Sequence, residues 1–169
     1  MKPLVFDASP LIYLNRVGLT WIFDQFDEEK YTVSKVRQQV VDEGRRIGAS
    51  DAPLTDDLVS GGRIKIRDPR DPSIARVMGK ILALHAGERE VLALGKEING
   101  VAITDDEVAR DTARIYGVEA HGTVCLLLRL FHRGRLTRPQ VVEAVDDMIA
   151  EGWRIGAREY SRILKELKQ

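Results

Sequence analysis

Residues 4–14 read LVFDASPLIYL. A short, wholly apolar run meets a carboxylate at Asp7, then a small polar residue, a proline and a second apolar run. An apolar run without alternation predicts that PLVFD is a strand buried on both faces, as in a parallel sheet. Ser9 followed by Pro10 predicts a helix start, with Ser9 at the N-cap and Pro10 at N1. Leu11, Ile12 and Leu14 would face inward, and Gly18 would end that helix. Asp7 then stands at the carboxyl end of a buried strand, where ligands gather in open α/β sheets. The charge needs a reason to be there.

The rest of the chain repeats the alternation. KYTVS, RIKIRD, GVAIT and VEAHG predict further strands. Helices are expected from Thr20 to Phe26, from Ser34 to Gly44 or Ile47, and within GASDAPLTDDLVSGG. More follow in the stretch after PRDPS, in GEREVLALGKEI and in DDEVARDTARIYG, with three last helices near 122–133, 138–150 and 156–167. Short apolar strands separated by helices indicate an α/β domain with a mainly parallel sheet and right-handed crossovers. One domain over residues 1–169 accommodates the whole pattern.

Composition narrows the function. The chain has 169 residues, 44% hydrophobic and 31% charged, which is the balance of a folded globular protein rather than a disordered one. The formal net charge is zero, so a nucleic-acid site would have to be a local basic patch. Cys125 is the single cysteine and lies in the apolar run VCLLLRLF, which predicts a buried small hydrophobe and a reducing, cytoplasmic setting. No apolar stretch is long enough to span a bilayer, and MKPLVFD lacks the long apolar core of a signal peptide.

The acids carry the chemistry. Asp7, Glu43, Glu88 and the pair Asp105/Asp106 stand out, the last two directly after the buried strand GVAIT. Each has an ordinary structural use as a cap or as a first-turn acid. Glu43 is the hardest to explain in that way. Val36, Val40, Glu43 and Ile47 fall at i, i+4, i+7 and i+11, a core-facing stripe that aims Glu43 inward and Asp42 away. An unpaired inward carboxylate is costly, and clustered acids need a compensating cation. Oxygen-only ligands favour Mg²⁺ or Mn²⁺. Such a cluster can activate water and stabilise a phosphodiester's developing charge.

Other chemistries lack their motifs. His85, His121 and His132 show no zinc spacing, and neither GxxxxGK[ST] nor GxSxG occurs. A haloacid-dehalogenase-type phosphatase would need an acid where Ser9 stands. A receiver-like phospho-acceptor domain shares only the strand-end aspartate.

The stretches VFDASPLIYLNRVG, VRQQVVDEGRR, LHAGEREVLALGKE, AITDDEVARDTARIYGVEAHGTV and GWRIGAREYSRILKEL together resemble the PIN-domain ribonucleases, the fold shared by VapC toxins, and more closely a prokaryotic PIN branch. The resemblance covers nearly the whole chain. It implies a three-layer α/β/α fold and a metal-dependent endoribonuclease. Asp7, Glu43, Glu88 and Asp106 would form an acidic quartet for Mg²⁺ or Mn²⁺. Ser9 would support Asp7 and Thr104 would stand beside the last acid. The T-x-D spacing from Thr104 favours Asp106 as principal ligand, with Asp105 as a helper, a cap or an alternative ligand. Many toxins of the resembled family carry Asp where this chain has Glu88. The basic stretch RLFHRGRLTR, with Arg129, Arg133, Arg135 and Arg138, offers phosphate contacts. The implied partners are an RNA substrate, a small antitoxin if the chain is the toxin of a toxin–antitoxin pair, and a second copy in a homodimer. The alternative is a PIN-like module that binds RNA or protein without cutting.

Overall fold

The computed structural model describes residues 1–168. Strands β1 (Leu4–Phe6), β2 (Lys30–Thr32), β3 (Lys65–Ile66), β4 (Val101–Ile103) and β5 (Glu119–His121) form one sheet in the order β3-β2-β1-β4-β5. Every pairing is parallel. β1 and β4 are fully buried, as continuous apolar runs in a covered parallel sheet should be. β3 and β5 are the two edges and are largely exposed.

The chain winds from β1 outward through β2 to β3, then returns to β4 on the other side of β1. The switch point of this doubly wound sheet therefore lies between β1 and β4, and ligands bind at the carboxyl ends of the strands there. Phe6 pairs with Ile103, so Asp7 and Thr104 come out of the sheet side by side.

Helices cover the sheet in a three-layer α/β arrangement. α6 (Ala86–Glu97) packs on β1 and β4, with α2 (Ser34–Arg37), α5 (Ser73–Met78) and α7 (Glu107–Ile115) beside it. α1 (Ala8–Arg16) packs with α4 (Asp51–Ser60) and α9 (Arg138–Ala150). α8 (Thr123–His132) contacts α9, and α10 (Ala157–Glu166) ends the described chain. The core is mainly aliphatic, with Phe6 meeting Phe23 edge-on at 5.3 Å between ring centres and Phe26, Tyr31 and Trp153 also buried.

Three expectations shift. The first helix begins at Ala8 with Asp7, not Ser9, at the N-cap. Pro10 then falls at N3, still inside the first turn, where no amide is needed for the helix ladder. Cys125 is half-buried rather than buried, and burial raises its thiol. The largest shift is in the helix after β2. It runs as α2, then a π-helical segment over Gln38–Glu43, then α3 (Gly44–Arg46). The wider i→i+5 turn changes the helical phase. Val36, Val40, Val41 and Gly44 are buried, whereas Glu43 is exposed and Ile47 is 76% exposed. Gly44 takes the inward place because Ala52 of α4 sits against it; a Cβ there would stand 3.0 Å from the Ala52 Cβ. The inward stripe through Glu43 and Ile47 is therefore corrected.

Candidate active site

Asp7 is buried at the end of the central strand. Its amide donates to the Ile103 carbonyl (3.0 Å), continuing the β1–β4 ladder by one residue. Its Oδ2 accepts from the Thr104 hydroxyl at 2.7 Å. That hydroxyl also accepts from the Asp106 amide at 3.3 Å, so Thr104 bridges the ends of β1 and β4. Ser9 makes no side-chain hydrogen bond to Asp7; Thr104 does that work.

Asp106 is the N-cap of α7, its Oδ1 accepting from the Ala109 amide at 2.7 Å. Glu88 lies in the first turn of α6, its Oε2 accepting from the His85 amide at 2.7 Å. Each cap uses one oxygen. Asp106 Oδ2 and Glu88 Oε1 have no protein donor among the described residues.

Asp105 is committed elsewhere. Its Oδ1 accepts from the Thr123 amide (2.7 Å). Its Oδ2 accepts from both the Thr123 hydroxyl (2.6 Å) and the Trp153 indole (2.9 Å). Asp105 thus ties the end of β4 to the start of α8 and to the segment before α10.

The electrostatics mark the group. The Asp7 carboxyl is raised, first by burial and further by the charges of Asp105 and Asp106, against the lowering effect of the Thr104 hydrogen bond. Glu88 is raised too, first by burial, with Asp7 and Asp106 adding repulsion. No lysine or arginine is ion-paired with any of these four acids among the described residues. A cluster of hard oxygen donors with uncompensated charge suits a hard divalent cation. Among the described residues, no three acidic, histidine or cysteine side chains stand close enough together to hold a metal ion in this arrangement.

Glu43 is exposed, and it is not among the charges that raise Asp7 or Glu88. From the same helix, Gln39 reaches toward the first turn of α6: a Cβ on Gly87 would stand 3.9 Å from its Oε1. Sequence reasoning missed Gln39, an uncharged residue that falls beside the Val36–Val40 stripe. It also missed Trp153, although a buried indole N–H always needs an acceptor.

The basic stretch lies elsewhere. Arg129 pairs with the buried Glu28 and stacks over Phe26, 4.7 Å from its ring centre. Arg133 lies 5.7 Å from the same ring and donates to the Gln25 carbonyl. Glu28 precedes β2, so these contacts sit at the amino end of a parallel sheet, opposite the acids. Arg129 is used in packing, whereas Arg133 is exposed. Arg135 and Arg138 follow directly after them and are exposed.

A family model described as the PIN domain matches residues 3–169. The chain belongs to the PIN-domain family. A curated relative is endoribonuclease Nob1 of Pyrococcus abyssi (strain GE5 / Orsay), 32% identical over 99 residues. That match covers 55% of this chain and 58% of the relative, so the likeness spans just under three-fifths of that protein. In this PIN domain no helix among the described residues is long and apolar enough to cross a membrane.

Proposed function

We propose that this PIN domain is an endoribonuclease dependent on Mg²⁺ or Mn²⁺. The observation that carries the proposal is the gathering of Asp7, Glu88 and Asp106 at the β1/β4 switch point, two of them with raised carboxyls and none paired with a cationic side chain. The nuclease named among its relatives supports the same chemistry.

Asp7, Glu88 and Asp106 would hold the cation. Bound there, a hard divalent ion supplies positive charge that offsets both the carboxylates and a phosphodiester, and makes water available as a nucleophile near neutral pH. The protein's part is positional. Thr104 fixes the rotamer of Asp7, while the α6 and α7 caps fix Glu88 and Asp106 and leave one oxygen of each free. Asp105 holds the frame rather than the ion. Glu43 is not counted in this set, because it is not among the charges that raise Asp7 or Glu88.

The test is cleavage of a labelled single-stranded RNA with Mg²⁺ or Mn²⁺. Activity that stops with EDTA and is absent in Asp7→Asn supports the proposal; undiminished cleavage in excess EDTA overturns the metal dependence. RNA binding without cleavage by any divalent ion would assign the chain to the binding-module class instead. A cytoplasmic setting follows from an RNA substrate. The toxin role, a small antitoxin partner and a homodimer follow from the family resemblance; co-purification with the protein encoded next to this one and the solution mass test them.

A further inference from the structure

Beside the first turn of α6 is a cavity of about 510 Å³ that the acidic site does not use. Its cations are Lys35 at the start of α2, Arg76 on α5, Lys80 just after it, and Arg89 on α6. Its single carboxylate, Glu90, is already paired with Lys35 at 2.8 Å. Arg76, Lys80 and Arg89 have no ion-pair partner among the described residues, although Asp71 feels the charge of Arg76. The Arg89 guanidinium folds against Gly79, where a Cβ would stand 2.9 Å from its Nη1. The absence of a side chain there lets cations from α5 and α6 converge.

Three free positive charges at one concavity, in a chain of zero net charge, form a local field for anions. Arg89 follows Glu88 on α6, and consecutive residues of a helix are turned about 100° from one another, so the cavity lies on a neighbouring face of the helix that carries Glu88. No aromatic, Asn or Gln side chain lines it. It therefore has neither a stacking surface nor the amide groups that read base edges.

We propose that this cavity holds the sugar–phosphate backbone of the RNA strand on one side of the bond cleaved at Asp7, Glu88 and Asp106, binding phosphates without reading bases. The inference rests on the nuclease assignment and supplies the substrate path that the acidic cluster lacks. A second charged groove, between α7 and α10, is a weaker host. There Arg110, Arg114, Arg158 and Arg162 face Glu107, Asp111 and Glu159.

The experiment is fluorescence anisotropy of labelled A12 and U12 RNA in EDTA, so that binding is measured without cleavage, across a series of salt concentrations. The variants are Arg76→Ala/Arg89→Ala, Arg135→Ala/Arg138→Ala and Arg158→Ala/Arg162→Ala. The first pair should weaken binding at low salt about tenfold or more, equally for both RNAs. It should also flatten the slope of log affinity against log salt by roughly 0.7 for each phosphate that the protein no longer neutralises. The other two pairs should leave affinity near wild type. An unchanged affinity and slope in Arg76→Ala/Arg89→Ala overturns the proposal, as does a weakening confined to Arg158→Ala/Arg162→Ala. A strong preference for one RNA that the first pair abolishes also overturns it. Circular dichroism melting of each variant separates impaired binding from impaired folding. If wild-type protein binds through this cavity yet cuts nothing with Mn²⁺ added, the nuclease assignment fails and the binding site stands. If it cuts but Arg76→Ala/Arg89→Ala leaves KM unchanged, the reverse holds.

Discussion

The carboxyl of Asp7 is discouraged from ionising by its own surroundings. Its native pKa is raised above the unfolded value of about 3.9, so the native state holds the proton more tightly. Stability from this group is therefore present at low pH and is lost as pH rises from the unfolded pKa through the native one. Asp7→Asn removes that loss. In EDTA at pH 7 the variant should melt a few degrees above wild type, about what 1 kcal/mol gives a chain of this length. The advantage should shrink as the pH falls toward 4. Excess Mn²⁺ should raise the wild-type midpoint and leave the variant's unmoved. Thermal melts at three pH values check all of this, and a variant that unfolds would make Asp7 a purely structural residue. The neighbouring acids separate by the same logic. Asp105→Asn weakens a three-donor arrangement and should cost about 2 kcal/mol of stability with little change in Mn²⁺ affinity. Asp106→Asn should lower Mn²⁺ affinity at least tenfold by calorimetry while costing less stability. The reverse ranking would transfer the ligand role to Asp105.

At the scale of elements, the π-helical segment between α2 and α3 carries both Gln39 and Glu43, and Gln39 is the one seen to reach α6. Gln39→Glu would place a fourth carboxylate beside the first turn of α6 and should tighten Mn²⁺ binding severalfold. Glu43→Gln should change it less than twofold. Equal effects in a titration would return Glu43 to the site. The end of α8 carries a different duty. Burial alone would raise Glu28, but the hydrogen bond and charge of Arg129 outweigh it and hold that carboxyl low. Arg129→Ala strands a buried carboxylate and should cost about 3 kcal/mol in urea unfolding, without altering RNA affinity. Much of this layer was legible in the sequence. The apolar runs at β1 and β4 announced a covered parallel sheet, and α6 through α9 fall within a residue or two of their expected spans. The π-helical turn was not legible, because a 3.6-residue pattern carries no mark of a wider turn, and the close approach of Gly44 to Ala52 is a contact between two helices. Nor was the duty of Arg129: a basic run looks the same in sequence whether it faces solvent or a buried Glu28.

In the whole molecule, distant parts of the chain meet at one corner of the sheet. Asp7 comes from β1, Glu88 from α6, Asp106 from the start of α7, and Trp153 reaches in from the segment before α10. The strand-end acids were readable one at a time; their convergence follows from strand order, which places β4 beside β1. The meeting also gives the protein an optical reporter. Trp153 is 5% exposed and its indole sits on Asp105, next to the proposed ligand Asp106, whereas the other tryptophan, Trp21, is 39% exposed. With Trp21→Phe, the remaining emission comes from Trp153 alone. It should be blue-shifted and shielded from iodide, as a dry indole is. Mn²⁺, a paramagnetic quencher, should dim it in a saturable way that EDTA reverses and Asp106→Asn abolishes. An emission indifferent to Mn²⁺ would put the cation somewhere else on the molecule.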